Sequence, residues 1–206
     1  MCQVRNKVDR CRRGTILFQD SFSGLSRKYV NNVLGELVRE GGLVRMAQGI
    51  YLKPKRTRFG IVYPSQTEIV RLIAQRDKAQ VLPSGETALN LLGLSEQVPM
   101  TSTYVTSGSA RNLNINGKIV KLTTSVPKTF APKNEFMASL FLALKAWDKN
   151  ELDGEFENNV MRLLLHHADK KQSMLDDLQY APVWIQDYLK PKIETLRQSK
   201  QNENMA

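Results

Sequence analysis

The sequence predicts an α+β protein in two parts: an N-terminal winged helix-turn-helix, followed by a domain of small antiparallel sheet plus α-helices. Over residues 1–58 the hydrophobic periodicity changes in the order helix, strand, helix, helix, hairpin. The same segment carries most of the net positive charge. Further along, an Asn-Gly turn signal and apolar stripes with helical spacing predict a small sheet covered by helices.

The charge of the chain is strongly segregated. Residues 1–58 hold 13 of the 30 Lys and Arg residues and 4 of the 20 Asp and Glu residues, which gives 13 − 4 = +9. The rest of the 206-residue chain holds 17 basic and 16 acidic residues, which gives +1. Because a concentrated positive field attracts polyanions, nucleic acid is the expected partner of the first segment.

Composition limits the remaining classes. Hydrophobic residues make up 41% and charged residues 24%, which is typical of a folded protein with a sizeable core. Cys2 and Cys11 are the only cysteines, so we expect neither a disulfide framework nor a cysteine metal site, and we expect a cytoplasmic location. No apolar run is long enough to predict a membrane span or an export signal. The predicted divisions are 1–58 (DNA-binding), 59–197 (regulatory) and 198–206 (flexible tail).

The first elements are short. Val4, Val8 and Cys11 lie at i, i+4 and i+7, which predicts a helix that ends before Gly14. The β-branched and aromatic residues at 15–18 predict a strand, and the next four residues leave room for only a brief second helix.

The third helix has the clearest pattern of the segment. Ser26 is a favourable N-cap, and Gly41 ends the helix. Its buried stripe is made by apolar residues with helical spacing: Val30, Val33, Leu34, Leu37 and Val38.

The opposite face of this helix is polar and basic. Asn pairs bidentately with adenine, Lys and Arg contact guanine or phosphate, and Gly35 removes bulk where a helix approaches a groove wall. The residues of this helix expected to contact DNA are Ser26, Arg27, Lys28, Asn31, Asn32 and Arg39.

Two strands at 43–46 and 50–53, joined by a tight turn with Gly49, predict the wing. Arg45, Gln48 and Lys53 are expected to reach flanking phosphates or the minor groove. The basic run then continues into a predicted linker that ends near Pro64: Lys55, Arg56 and Arg58. Winged helices also dock proteins, and a Lys-rich helix face is often only solvated. The charge segregation favours duplex DNA.

Beyond the linker, Ser65 and Glu68 form a capping-box pattern that opens a helix. Ser84 precedes a further helix that ends at Gly93. Strand-like runs follow at 103–106, 113–115 and 118–124, the last two joined by Asn116-Gly117, and two long apolar helical stripes lie beyond Pro132.

No catalytic, metal or cofactor site is predicted. His166 and His167 are adjacent on a helix and diverge by about 100°, so they are poorly placed to share a metal, and His167 falls on the apolar stripe. Ser84 lacks the flanking glycine pattern of a nucleophile turn, so helix capping is the simpler interpretation. The Asp169-Lys170-Lys171 sequence is a formal fragment of a nuclease element, which leaves a metal-dependent nuclease as a minor alternative.

Several segments, in order, are similar to a known family: GLVRMAQGIYL at 42–52, PS at 64–65, LPSGETALNLLGLS at 82–95 and VP at 98–99. Over roughly residues 1–125 the chain resembles the AbiEi-type antitoxins of bacterial abortive-infection systems. The family's wing motif maps here onto Arg45, Gln48, Gly49 and Tyr51, with Gln48 where similar sequences commonly have a basic residue, and its Pro-Ser-Gly element maps onto residues 83–85.

This resemblance implies an antitoxin of a type IV toxin–antitoxin operon. Its winged helix would repress its own operon, and its second domain would counter a nucleotidyltransferase-like toxin without necessarily forming a stable complex with it. Members of this group also occur without an evident toxin, so a stand-alone transcriptional regulator is the alternative.

Overall fold

The computed structural model describes residues 3–147 and 154–196. Within them the protein is a mixed α+β structure, as predicted. Among the described residues, those up to Ile73, with Leu113–Lys118, form one compact unit, and Ala74–Asn112 with those from Ile119 onward form the other. Charge predicts an earlier boundary, after residue 58. Charge and compactness are different properties, so the limits of the DNA-binding segment stay a prediction. The tail predicted at 198–206 lies outside the described residues.

The first unit begins with the predicted alternation of elements. The predicted second helix is only a single 3-10 turn, because three residues separate the first strand from the buried Phe22. Gln19 begins this turn and donates its backbone N–H to the carbonyl of Gly49 at 2.9 Å. The elements are α1 (Gln3–Arg10), β1 (Ile16–Phe18), the 3-10 turn (Gln19–Ser21) and α2 (Arg27–Arg39).

A three-stranded antiparallel sheet follows α2, in the order β1-β3-β2. β2 (Val44–Ala47) and β3 (Ile50–Leu52) form the predicted hairpin. The register shifts between Arg45 and Ala47, so β2 has a bulge there. Apolar side chains of α1, α2 and the sheet form one core, which includes Val4, Val8, Leu17, Leu34, Leu43 and Tyr51.

A second hairpin stands where a linker was predicted. β4 (Lys55–Thr57) and β5 (Gly60–Val62) pair antiparallel, with Thr57 opposite Gly60 and a two-residue turn between them. Gly60 has φ +112°, a conformation that favours glycine. The linker prediction was wrong here. Three of the four residues at 55–58 are basic, which hides the alternation expected of a strand. These residues are held extended by pairing with β5.

The predicted cap at Ser65 is present. Its hydroxyl accepts the backbone N–H of Glu68 at 3.1 Å and opens α3 (Gln66–Arg76). Ser84 does precede α4 (Gly85–Leu91), but its side chain makes no capping hydrogen bond to any described residue. Its backbone N–H and carbonyl are instead bonded to Thr103, at 3.1 Å and 2.8 Å, which extends strand pairing to the start of the helix.

The third and largest sheet has four strands in the order β6-β7-β9-β8. It is mixed rather than wholly antiparallel, because β7 and β9 run parallel while β6 and β7 run antiparallel. Strand β8 follows β7 in the chain but lies at the edge of the sheet, beyond β9. Strand β9 then pairs with β7 and runs in the same direction. The strands are β6 (Val81–Pro83), β7 (Thr101–Thr106), β8 (Arg111–Ile115) and β9 (Lys118–Thr124), with Asn116-Gly117 at the predicted turn.

Helices build the core of the second unit. Most residues of the predicted apolar stripes are buried, whereas Phe136, Leu163 and His167 are half-buried. Asn134 caps the first of these helices by accepting the N–H of Phe136 at 3.1 Å. Among the described residues, no helix is both long and apolar enough to span a membrane. The helices are α5 (Glu135–Ala146), α6 (Gly154–His166), α7 (Lys171–Asp177) and α8 (Val183–Glu194).

Candidate nucleic-acid interface

Helix α2 buries one face and exposes the other, as its periodicity predicts. Val30, Val33, Leu34 and Leu37 are buried. The hydroxyl of Ser26 accepts the N–H of Tyr29 at 3.3 Å, so this residue caps the helix. Four of the predicted contact residues are exposed together on α2: Lys28, Asn31, Asn32 and Arg39.

Gly35 lies on the same helix, and a Cβ atom there would meet no heavy atom within 4 Å. The space outside this position is therefore open. Arg27, in the first turn, pairs with Asp20 at 3.3 Å, but its side chain is 79% exposed. Such a pair contributes little in water and leaves the guanidinium accessible to another anion.

Arg5 on α1 engages both acidic groups near the end of α2, which sequence reasoning missed. Its guanidinium lies 2.7 Å from a carboxylate oxygen of Glu40 and 3.2 Å from one of Glu36. The hydrogen bond from Arg5 holds the pKa of Glu40 below its usual range. The single positive charge of Arg5 offsets one of the two negative charges at this helix end. The sequence carries no local signal for it, because the partners are 31 and 35 positions apart.

The two cations predicted for the β2–β3 hairpin, Arg45 and Lys53, have different surroundings. Arg45 and Gln48 are exposed on β2 and at the turn. Lys53, directly after β3, instead points back to the end of α1, where its ammonium donates to the carbonyls of Val8 at 2.7 Å and Asp9 at 2.8 Å. Lys53 therefore caps the C-terminus of α1, and its contact with phosphate stays a prediction.

The β4–β5 hairpin adds exposed cations that were predicted only as part of a linker. Arg56 donates to the carbonyl of Gly41 at 3.2 Å, which fixes the hairpin to the C-terminal end of α2. Lys55 and Arg58 are exposed, and the turn presents Phe59. The available sequence signal was the Gly60 that follows a β-compatible run, a pattern typical of hairpin turns.

Acidic residues are missing from this part of the chain. Between Glu40 and Glu68 the sequence has five cations and no Asp or Glu: Arg45, Lys53, Lys55, Arg56 and Arg58. With Glu36 and Glu40 paired to Arg5, the exposed surface of α2 and both hairpins is dominated by positive charge. A polyanion is the ligand that such a surface attracts.

Comparison with known families covers both units. Residues 3–173 match the model of a family described as a family of unknown function, DUF6088. The chain belongs to the DUF6088 family. No curated protein matches the sequence.

Metal or nuclease chemistry in this DUF6088 protein would depend on His166, His167 and Lys171. Within residues 3–147 and 154–196, no group of three or more His, Cys, Asp or Glu residues is arranged to hold a metal ion. Lys171, from the nuclease-like fragment, donates to the carbonyls of Glu194 at 2.6 Å and Leu196 at 2.8 Å, so its ammonium holds the end of α8. The ring of His167 stacks on Phe136 with centroids 4.0 Å apart. Burial, together with the charges of His166 and Lys170, lowers the pKa of His167 and favours its neutral form.

Proposed function

We propose that the chain is a sequence-specific repressor that binds duplex DNA in the cytoplasm, with its N-terminal unit acting as a winged helix-turn-helix. The order α1, β1, 3-10 turn, α2, β2–β3 supports this assignment, with the 3-10 turn in the place of the motif's second helix. The short sheet β1-β3-β2 supports the same assignment. In this proposal α2 is the recognition helix and lies in the major groove.

The observation that carries the proposal is the outward face of α2. It presents Lys28, Asn32 and Arg39 to solvent, while Arg5 engages Glu36 of the helix and Glu40, its C-cap. Asn32 and Lys28 read base edges in this proposal, because amide and ammonium groups match the donors and acceptors of the major groove. Arg27, Asn31, Arg39 and Arg45 hold the flanking phosphates.

The second half of the proposal is antitoxin action. We infer from the resemblance to the AbiEi-type antitoxins that the operon encodes a nucleotidyltransferase-like toxin and that the second unit counters it. The resembling segment at 82–95 includes β6 and α4 of that unit. Stable contact between the two proteins is not required, and no enzymatic activity is assigned to the chain.

DNA binding is tested with the full chain and two DNAs: the region upstream of its own gene and a random duplex of equal length. Affinity should fall steeply with salt, with a slope of about −0.9 per neutralised phosphate in log K against log salt. Asn32→Ala should weaken upstream DNA by about 10-fold and random DNA little, because a bidentate base contact contributes about 1–3 kcal/mol. Lys190→Ala, at an exposed lysine of α8, is the matched control. Failure to bind either DNA at low salt would contradict the proposal.

Antitoxin action is tested by expressing the neighbouring gene with and without the chain. The double variant Lys28→Glu/Arg39→Glu changes two exposed positions and should abolish repression while rescue persists. A chain that represses but rescues cells from no neighbouring gene product is a stand-alone regulator. Loss of rescue at unchanged melting temperature would place toxin neutralisation on the DNA-binding surface.

A further inference from the structure

The tip of the β4–β5 hairpin exposes a large apolar side chain among cations. Phe59 is 86% exposed, although burying a phenylalanine ring is among the most favourable contributions that a side chain makes to stability. The guanidinium carbon of Arg58 lies 4.6 Å from the centroid of this ring. An exposed aromatic ring in a turn, next to cationic side chains, is typical of a binding surface rather than of a folded core.

The turn that carries Phe59 is held in one conformation. The hydroxyl of Thr57 accepts the N–H of Phe59 at 3.2 Å and donates to the carbonyl of Gly60 at 3.1 Å. These two bonds close the turn from within. The ring is therefore presented by a defined backbone, which reduces the conformational entropy lost when it is bound.

The two faces of the hairpin differ. Arg56 and its cross-strand partner Ile61 share the face that is fixed to the main body of the unit, through the bond from Arg56 to Gly41. Side chains alternate along a strand, so Lys55 and its partner Val62 share the opposite, exposed face. The hairpin is thus bonded to the residue that follows the C-cap of α2, and its exposed side chains include Lys55, Arg58 and Phe59.

The chemistry of this arm matches the DNA minor groove. The segment between Glu40 and Glu68 contains no acid, so an anionic partner is favoured. Paired strands lie about 4.8 Å apart before their side chains are counted, so only the two-residue tip fits a groove about 6 Å wide. Proteins that bind this groove place Arg and Lys beside the phosphates and insert an apolar side chain between base steps, which kinks the duplex by about 20–90°.

We propose that the β4–β5 hairpin enters the minor groove next to the site of α2 and that Phe59 inserts between two base pairs. Arg58 and Lys55 contact the phosphates on either side. The protein accordingly bends its DNA. This inference rests on the proposed function, because the duplex must already be docked on α2.

The experiment uses the full chain and a short duplex from the upstream region, whose bound segment is first located by footprinting. The two ends of this duplex carry a donor and an acceptor dye. The wild-type chain should raise energy transfer as the ends approach. Phe59→Ala should remove most of this change and weaken affinity by about 10-fold, the effect expected for loss of one stacked aromatic group. The salt slope should stay unchanged, since no cation is lost. Phe59→Leu, which keeps an apolar wedge, should restore the bend.

Further variants separate the wedge from the charges. Lys55→Ala/Arg58→Ala should reduce the salt slope by about 2, since each lost phosphate contact accounts for about 0.9. Netropsin, which occupies the minor groove, should compete with the hairpin. Met100→Ala removes an apolar side chain that is 94% exposed in the other unit, and it should bind and bend DNA as the wild type does.

The outcomes distinguish the two proposals. If the wild-type chain binds no duplex at low salt, the proposed function fails and this inference fails with it. If Asn32→Ala loses specific binding but Phe59→Ala bends DNA as the wild type does, only the wedge is wrong. A fall in affinity for Phe59→Ala with the bend retained would also overturn insertion.

Discussion

Nη1 of Arg5 lies 2.7 Å from a carboxylate oxygen of Glu40, which joins the first helix to the residue that follows the recognition-helix candidate. The second terminal nitrogen of Arg5 contacts the other oxygen of Glu40, also at 2.7 Å. Two parallel hydrogen bonds between a guanidinium and a carboxylate restrict the orientation of both side chains and add to their electrostatic attraction. It joins α1 to the end of α2 and offsets one of the two negative charges beside a surface proposed to meet phosphate.

We expect Arg5→Ala to lower both stability and DNA affinity at neutral pH. The pKa of Glu40 is lowered from its ordinary value of 4.5, so its contribution to stability is present above that value. The contribution is lost as the pH falls through the lowered pKa, because Glu40 becomes protonated. Denaturant melts should therefore show a difference between wild type and variant at pH 7 that shrinks in acid. Arg12→Ala, an equal charge change at an exposed site, should show no such pH-dependent difference.

Gly35→Ala should act in opposite directions on folding and binding. Alanine is favoured over glycine in a helix by about 1 kcal/mol, and a Cβ at this position meets nothing within 4 Å. The variant should therefore melt at a higher temperature. If α2 lies in a groove, the added methyl group should weaken binding to upstream DNA. A variant with raised stability and unchanged affinity would show that this face stays outside the groove.

Lys53→Ala and Arg45→Ala should have different effects, although both were predicted to contact phosphate. Lys53 bonds the carbonyls of Val8 and Asp9, so its loss should destabilise the unit by about 1–2 kcal/mol. Arg45 is exposed, and its loss should leave the melting curve unchanged while reducing the salt slope of DNA binding by about 0.9. Urea unfolding and salt titrations of both variants check this. A normal salt slope with lower stability for Arg45→Ala would reverse the assignment.

Asp177→Ala should be among the most destabilising single changes in the second unit. This carboxylate is 2% exposed and accepts the backbone N–H groups of Lys133 and Asn134 at 2.9 Å and 2.8 Å. Its removal leaves two N–H groups without that acceptor, at a cost of about 3 kcal/mol. Asp176→Ala, at the exposed neighbouring position, is the control and should cost less than about 0.5 kcal/mol. Comparable losses for the two variants would refute this role.

The stability of the second unit should decline in mild acid through His167. Its pKa is lowered from 6.5, first by burial and then by the charges of His166 and Lys170. The folded state therefore favours the neutral ring, and the unfolded state binds the proton more readily below pH 6.5. The free energy of unfolding should fall as the pH drops through this value. His167→Gln should flatten the dependence, whereas His166→Gln, at an exposed position, should preserve most of it.

Local patterns predicted much of the fold and part of the candidate site. The exposed set Lys28, Asn32 and Arg39 follows from helical periodicity once Val30 and Leu34 are assigned to the core. The α+β class and the turn at Asn116-Gly117 follow in the same way. Each of these features depends on residues within about one or two turns of one another, where spacing alone constrains geometry.

Other features were missed because the deciding contacts are distant in sequence. Lys53 is a basic residue next to the predicted wing, but its ammonium donates to backbone carbonyls 44 and 45 positions earlier in the chain. Ser84 stands where a cap is expected, yet pairing with Thr103 on another strand determines its backbone bonds. No local pattern encodes either contact.

The sequence by itself determined the α+β class, the span and exposed face of α2, the caps at Ser26 and Ser65, and the charge segregation. These are properties of composition and of short-range periodicity. Only the tertiary structure decided that Arg5 pairs with Glu36 and Glu40, that β7 and β9 run parallel, and that residues 55–62 form a hairpin bonded to Gly41. Those features arise where packing brings together groups remote in the chain, and their energies depend on distances that exist only after folding.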